Sequence, residues 1–143
     1  FVLATGKIAS VLAAEGQGLP TDLAWATAYD GPGPWSSLAP DIPSHPSQVY
    51  EAVATTIGVV ILGLALRLGA FGRRDGSALL AAIILWGAGR FAVAFTWRDA
   101  AVAGPFRAEH LVLAVVIGAC IAGLIRLRFG PGSQLVVHLR TSP

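Results

Sequence analysis

Three long apolar runs constrain this chain more than any other feature. They cover about residues 52–71, 77–96 and 111–129, and roughly 20 mainly apolar residues suffice to cross a bilayer as a helix. Apolar residues make up 55% of the 143 positions and charged residues only 13%, whereas soluble domains carry about 25% charge. The sequence therefore predicts an all-α integral membrane protein with about three transmembrane helices.

The remaining segments are predicted to be less regular. Residues 2–14 are apolar but short, which indicates a partial N-terminal helix, and residues 16–46 contain six prolines, which indicates an irregular loop. Residues 130–143 are expected to form a cytoplasmic tail, so that residues 1–129 make up a partial membrane domain. Because the sequence has no methionine, we expect it to be part of a longer protein. Cys120 lies within an apolar run and is expected to be a packing residue.

The distribution of basic residues predicts how the helices are oriented. Six of the ten basic residues lie at the end of the first apolar run, in the link that follows it or near the C-terminus, together with a single acid, Asp75. Lysine and arginine are enriched on the cytoplasmic side of membrane proteins, so we expect these segments to face the cytoplasm. The proline-rich loop at 16–46 would then face outward, where chemistry meets lipids and exported proteins.

A polar cluster, His45–Glu51, stands at the mouth of the first apolar run and reads His-Pro-Ser-Gln-Val-Tyr-Glu. One interpretation is a helix start, since Pro46 suits a first helical turn and Glu51 its positive end. That interpretation does not explain why four functional side-chain types crowd one membrane entrance. Ser47, Gln48 and Glu51 would be neighbours on a helix surface, so the cluster is a candidate site.

Arg90 is the second candidate, because it lies inside the second apolar run. An arginine within a bilayer costs at least ~2.5 kcal/mol on insertion scales and usually faces a polar cavity or a partner. A snorkelling arginine is the simpler alternative, but the predicted helix continues for about a turn and a half beyond it. Gly87 and Gly89 would allow another helix to approach closely there. A buried guanidinium is suited to hold a lipid phosphate by a forked contact.

The cluster at 45–51 resembles the His-Pro-Ser-Gln-Leu-Tyr-Glu signature of the bacterial prolipoprotein diacylglyceryl transferases. Residues 18–25, Gly-Leu-Pro-Thr-Asp-Leu-Ala-Trp, are similar to the family pattern Gly-Arg-Pro-Thr-Asp-Leu-Pro-Trp. Upstream, Gly6, Ile8 and Glu15 match the family pattern Gly-Arg-Ile-Gly-Asn-Phe-Ile-Asn-Gly-Glu without a gap. The resemblance identifies the chain as a divergent member that corresponds to the C-terminal part of the family.

The resemblance implies a reaction and a set of residues. The family transfers a diacylglyceryl group from phosphatidylglycerol to the lipobox cysteine of a prolipoprotein, in the bacterial plasma membrane and without a metal or organic cofactor. The expected partners are therefore phosphatidylglycerol, a lipobox peptide and membrane lipid, and not nucleic acid. The expected catalytic residues are His45, Tyr50, Glu51 and Arg90. The expected substrate-binding residues are Lys7, Ser10, Glu15, Gly18, Gln48 and Arg90.

The chain also departs from the family pattern at several expected site positions. Lys7 replaces an arginine and keeps its charge without the fork, Ser10 replaces an asparagine, and Trp86 replaces a tyrosine. Ala94 stands where the family has a glutamate one turn after Arg90, so a carboxylate that would orient the arginine is expected to be missing. Two alternatives therefore stay open: a relative that binds phospholipid or lipobox peptide without catalysis, and a transporter or channel component in which Arg90 lines a path.

Overall fold

The computed structural model describes residues 6, 9, 17–28, 42–71 and 75–129. Gly6 and Ala9 are helical; the rest of the predicted N-terminal helix, the middle of the proline-rich loop and the tail lie outside the described residues. Within these ranges, three α-helices and one short β-hairpin follow one another along the chain. The sequence did not predict this hairpin.

Helix α1 spans Ser47–Arg67, so it begins before the apolar run that predicted it. Pro46 lies immediately before it with a φ of −76°, a value that the ring enforces and a helix start accepts. The helix ends at Arg67 with Leu68 as its C-cap, and Gly69 follows with a φ of +69°, which favours glycine. The helix starts earlier than the apolar run because its backbone hydrogen bonds also include the polar first turn, whereas the run predicts only the length that faces lipid.

Helix α2 spans Ser77–Ala94 and helix α3 spans Ala108–Phe129. Asp75 stabilises the start of α2, because its Oδ1 accepts hydrogen bonds from the Ser77 N–H at 2.9 Å and the Ser77 hydroxyl at 2.6 Å. These bonds favour the ionised carboxylate, so they lower the pKa of Asp75 from its ordinary value.

A β-hairpin connects α2 to α3. Strand β1, Ala101–Ala103, pairs antiparallel with strand β2, Phe106–Arg107. Gly104 makes the turn with a φ of +56°, and Ala101 lies opposite Arg107. Because the hairpin is so short, it returns the chain directly to the end of α2 and sets the position at which α3 begins.

All three helices are long and apolar enough to cross a membrane, with mean hydropathies of 2.0, 1.7 and 2.3 in chain order. This confirms the predicted all-α membrane fold class. Helix α2 packs against both α1 and α3, and its glycines permit this, as predicted. A Cβ placed on Gly89 would lie 3.1 Å from Ala54 of α1, and one on Gly87 would lie 3.1 Å from Ile117 of α3.

The buried side chains divide unevenly along the helices. We call the end where α1 and α3 begin and α2 ends the entrance end. The residues buried there are mainly polar or charged and include Gln17, Ser44, Ser47, Gln48, Glu51, Arg107 and His110. Most large apolar side chains along the three helices are exposed instead, as expected for surfaces that face lipid. The entrance end is therefore where a polar site would be located.

Candidate functional site

Arg90 lies at the entrance end and contacts the other two helices. It lies four residues before the end of α2, and its Nη1 forms an ion pair with Glu51 of α1. Its Nε donates to Glu109 in the first turn of α3 and forms a second ion pair there. The Arg90 guanidinium therefore links α2 to both α1 and α3. The prediction that Arg90 faces a partner and not hydrocarbon agrees with these contacts.

Carboxylates on the two neighbouring helices contact Arg90. Ala94 leaves α2 without an acid one turn after Arg90, but Glu51 of α1 and Glu109 of α3 both reach the guanidinium. Arg90 is therefore oriented by acids that lie outside its own helix. Glu109 lies 19 positions from Arg90 in the sequence, and only the hairpin and the packing of α3 on α2 bring the two together.

His110 and the hairpin hold Glu109 in place. The His110 ring is almost fully buried, and its Nδ1 accepts a hydrogen bond from the Arg107 N–H at 3.1 Å. The imidazole is enclosed by three phenylalanine rings whose centres lie 4.2–5.7 Å away, those of Phe91, Phe95 and Phe106. This packing fixes the first turn of α3. Because an acid there also interacts favourably with the helix dipole, Glu109 suits its position.

Trp97 covers one face of the Arg90 guanidinium. The centre of its ring lies 5.5 Å from Arg90 Cζ, a distance at which the ring quadrupole attracts the cation. Within the described ranges, the buried Trp97 Nε1 has no hydrogen-bond partner. Neither Trp97 nor Glu109 was expected from the sequence. An acid and an aromatic residue near the ends of apolar runs are too common to point to a site.

A second group of side chains lies around His45. Trp25 Nε1 donates to the Tyr50 hydroxyl at 2.7 Å, and the same hydroxyl lies 3.4 Å from His45 Nδ1. The His45 and Tyr50 rings meet edge to face with their centres 6.0 Å apart. Since Trp is only a donor, the Tyr50 oxygen accepts from it. If His45 Nδ1–H also donates to that oxygen, His45 Nε2 retains its lone pair.

The expected catalytic residues therefore form two groups at the entrance end. Glu51 points inward to Arg90 and is only 3% exposed, whereas its neighbour Tyr50 points to His45 and is partly exposed. Successive residues of a helix are rotated by about 100°, which explains why adjacent members of one motif belong to different groups. Gln48, one turn before Ala52, is buried on the inward side with Ser47 and Glu51.

Gly18 has a structural role at this end. A Cβ at this position would overlap the Ser47 hydroxyl and the Thr96 carbonyl oxygen, and it would lie 2.9 Å from His45 Cβ. The Gly18 N–H donates to the His45 carbonyl at 2.8 Å, and its own carbonyl accepts from Arg98 Nε at 2.7 Å. Gly18 thus fastens the loop to the start of α1. The contacts of Gly18 in the structure are packing and backbone hydrogen bonds. Its expected role in substrate binding stays a prediction.

Two further arginines stabilise the loops and are not bonded to carboxylates in the described contacts. Arg98 also donates to the Ser44 hydroxyl at 2.9 Å. Arg107 is buried and donates to the carbonyl oxygens of Asp99 at 2.7 Å and Ala94 at 2.6 Å. These contacts hold the loop and the hairpin against the end of α2.

The remaining expected site residues, Lys7, Ser10 and Glu15, lie outside the described residues. Trp86 lines a small apolar cleft between α1 and α2 together with Leu85 and Thr55. No group of three or more potential metal ligands occurs among residues 17–28, 42–71 and 75–129.

Three bilayer-length helices joined by a guanidinium and two carboxylates define a multi-pass membrane protein with a charged site inside its spanning region. The chain belongs to the prolipoprotein diacylglyceryl transferase family, whose profile matches residues 1–126. This confirms the family that the motifs at 6–15, 18–25 and 45–51 predicted.

Curated relatives agree with this membership. A phosphatidylglycerol–prolipoprotein diacylglyceryl transferase of Methylocella silvestris is 42% identical over 69 residues, which cover 48% of this chain and 23% of that protein. A protein of the same description from Ruegeria pomeroyi is 38% identical over 101 residues, 65% of this chain and 32% of its own length. The chain thus spans about a quarter to a third of these relatives. No solved structure matches it.

Proposed function

We propose that this protein transfers a diacylglyceryl group from phosphatidylglycerol to the lipobox cysteine of prolipoproteins. The observation that carries the proposal is the ion pair between Glu51 and Arg90. It joins the most specific motif of the family to the arginine within the spanning region. The names of the relatives give the same donor and acceptor.

The reaction needs a cation where the phosphate departs. The cysteine thiolate attacks a glyceryl carbon of the lipid, a carbon–sulfur bond forms, and the carbon–oxygen bond to the phosphate breaks. Glycerol phosphate leaves with that electron pair and gains one negative charge. Arg90 is suited to bind this phosphate, since it lies in the last turns of α2, is 25% exposed and has forked N–H donors. A fixed cation of this kind stabilises the charge that develops in the transition state.

The proton of the thiol needs an acceptor. We assign this role to His45, because its Nε2 lone pair is available in the tautomer whose Nδ1–H donates to the Tyr50 hydroxyl. Trp25 holds the Tyr50 hydroxyl from the other side at 2.7 Å. The thiolate is the nucleophile and the thiol is not, so removing this proton would precede attack.

The site is proposed to face away from the cytoplasm. Arg67, Arg126 and Arg128 are in the last turns of α1 and α3, at the end opposite the site. By the positive-inside rule this arginine-rich end is cytoplasmic. The protein would then act at the outer surface of the bacterial plasma membrane, where exported prolipoproteins meet phosphatidylglycerol.

Incubation of the full-length protein with glyceryl-labelled phosphatidylglycerol and a lipobox peptide tests the proposal. The expected result is a labelled thioether on the peptide cysteine and release of glycerol phosphate. A peptide with serine in place of that cysteine is the matched control and should remain unlabelled. Absence of the thioether from the complete protein would contradict transferase activity.

One observation favours a second candidate, a lipid-binding relative without catalysis. Both Nε and Nη1 of Arg90 are engaged by carboxylates, so the guanidinium is already neutralised before any lipid arrives. Measurable binding of phosphatidylglycerol without thioether formation would support this second candidate.

A further inference from the structure

The two carboxylates on Arg90 occupy different edges of its guanidinium. Glu51 is bonded to Nη1, whereas Glu109 is bonded to Nε. Nε and Nη2 together form the side-on fork that binds carboxylate or phosphate by two parallel hydrogen bonds. Nη2 has no hydrogen-bond partner among the residues that the structure describes. Departure of Glu109 alone would therefore open the whole fork, and Glu51 would stay in place.

The fork of Arg90 cannot hold the Glu109 carboxylate and a lipid phosphate at the same time. Glu109 accepts from Nε, and a phosphodiester bound by two parallel hydrogen bonds needs the Nε–H together with the Nη2–H. Two anionic groups at the same donor would also repel each other. An uncharged lipid without a phosphate cannot replace the ion pair between Glu109 and Arg90.

The burial of the two acids identifies which one leaves. Glu51 is 3% exposed, whereas Glu109 is 27% exposed. A carboxylate that is already partly exposed loses less when it separates from its partner, because it regains solvent and headgroup contacts. Glu109 also stays next to the positive end of α3, which continues to stabilise its charge.

Trp97 gives an independent indication that an oxygen is bound here. Its ring covers Arg90, yet its buried Nε1–H has no acceptor within the described part of the chain. Buried N–H groups in native structures nearly always have a partner. A phosphate oxygen on the Arg90 fork would be a suitable acceptor for this N–H.

We propose that Glu109 is an exchangeable partner of Arg90, which the phosphate of an anionic lipid displaces and which returns when the phosphate leaves. This inference rests on the proposed function for its donor lipid. Glu109 would thereby determine specificity, because only a lipid that brings a phosphate can replace it.

A binding experiment with the full chain tests the exchange without turnover. A fluorescent, acyl-labelled phosphatidylglycerol is bound to the protein in detergent micelles and displaced by unlabelled phosphatidylglycerol, phosphatidic acid, cardiolipin or diacylglycerol. Glu109→Gln is the test variant, and Glu51→Gln is its matched control with the same change in charge. Size-exclusion profiles and thermal melting verify that both variants are folded, and Glu109→Ala repeats the test without an amide.

We expect Glu109→Gln to bind phosphatidylglycerol at least about fivefold more tightly, because a neutral amide holds Arg90 more weakly than a carboxylate does. Diacylglycerol should be unaffected, and Glu51→Gln should not tighten binding. Equal tightening of the other phosphate lipids would retain the exchange and assign it to phosphate in general. Unchanged or weaker binding in both Glu109 variants, or equal tightening in Glu51→Gln, would overturn the proposal.

The same experiment separates this proposal from the proposed function. If Arg90→Ala abolishes binding of phosphatidylglycerol while the Glu109 variants match the wild type, Arg90 holds the lipid and the exchange alone is refuted. If the Glu109 variants bind phosphatidylglycerol more tightly but the wild-type protein forms no thioether in the transfer assay, the exchange stands and the transferase assignment is refuted.

Discussion

Glu51, the last residue of the His-Pro-Ser-Gln-Val-Tyr-Glu motif, is buried and forms an ion pair with the partly exposed Arg90 on the neighbouring helix. The contact connects the start of α1 to the last turn of α2 and explains how an arginine is tolerated inside an apolar helix. It also gives the motif a structural role, because the pair joins α1 to α2.

Replacement of Arg90 should affect activity and stability together. Arg90→Ala is expected to abolish transfer and to destabilise the protein by about 3 kcal/mol, the lower end of the range for a broken buried pair because Arg90 is partly exposed. Arg90→Lys should retain a little activity, since the charge survives without the fork. Transfer assays and melting curves in detergent measure both effects. Arg67→Ala, at the opposite end of the bundle, is the control, and equal losses there would refute a specific role.

Introducing a glutamate at Ala94 should not raise activity. Ala94 is completely buried, and its carbonyl accepts a hydrogen bond from Arg107. A larger charged side chain would overpack this position and bury a carboxylate, so we expect a lower melting temperature. Ala94→Gln has nearly the same volume without the charge and separates the two causes. A gain of transfer in Ala94→Glu would show that Glu51 and Glu109 do not replace the family glutamate.

The group around His45 should be needed for proton transfer. His45→Ala is expected to lower the transfer rate by about 10²–10⁴-fold, the usual contribution of a general base. Tyr50→Phe removes the hydroxyl that orients the imidazole and should have a smaller effect. The exposed Val49 in the same helical turn offers a control, Val49→Ala. Initial rates measured against pH distinguish loss of the base from misfolding, and wild-type turnover in His45→Ala would assign the group a structural role.

The contact of Gly18 with α1 should tolerate no side chain. Gly18→Ala would drive a methyl group into Ser47 and Thr96, and such overpacking typically costs about 1–3 kcal/mol. Gly63→Ala in α1 is the matched control, because a Cβ there meets nothing within 4 Å. Melting curves of the two variants provide the comparison. A Gly18→Ala protein as stable as Gly63→Ala would mean that the loop is not fastened as described.

The cap at the start of α2 should make stability depend on pH. The Ser77 hydrogen bonds lower the pKa of Asp75, so its contribution is present above the pKa of the unfolded chain. That contribution is lost as the pH falls through the lowered pKa of the folded protein. Asp75→Asn should remove this part of the pH dependence in melting curves from pH 7 down to acid conditions. A variant with the wild-type acid profile would show that Asp75 contributes nothing measurable.

The sequence by itself determined the membrane class, the three spanning segments and the family. Hydrophobic length selects a helix across a bilayer regardless of its neighbours, and the motif at 45–51 is specific over seven consecutive residues. It also identified Arg90, because an arginine inside an apolar run needs a partner. These features depend on local composition and can be read from the chain alone.

Only the tertiary structure decided what Arg90 binds. Glu109 and Trp97 reach it through the hairpin and the packing of α3 on α2, a geometry that no sequence spacing records. The absence of an acid at position 94 therefore does not leave Arg90 without a carboxylate. Electrostatic pairing depends on distance in space and not along the chain, so a carboxylate missing from one helix can be supplied by another.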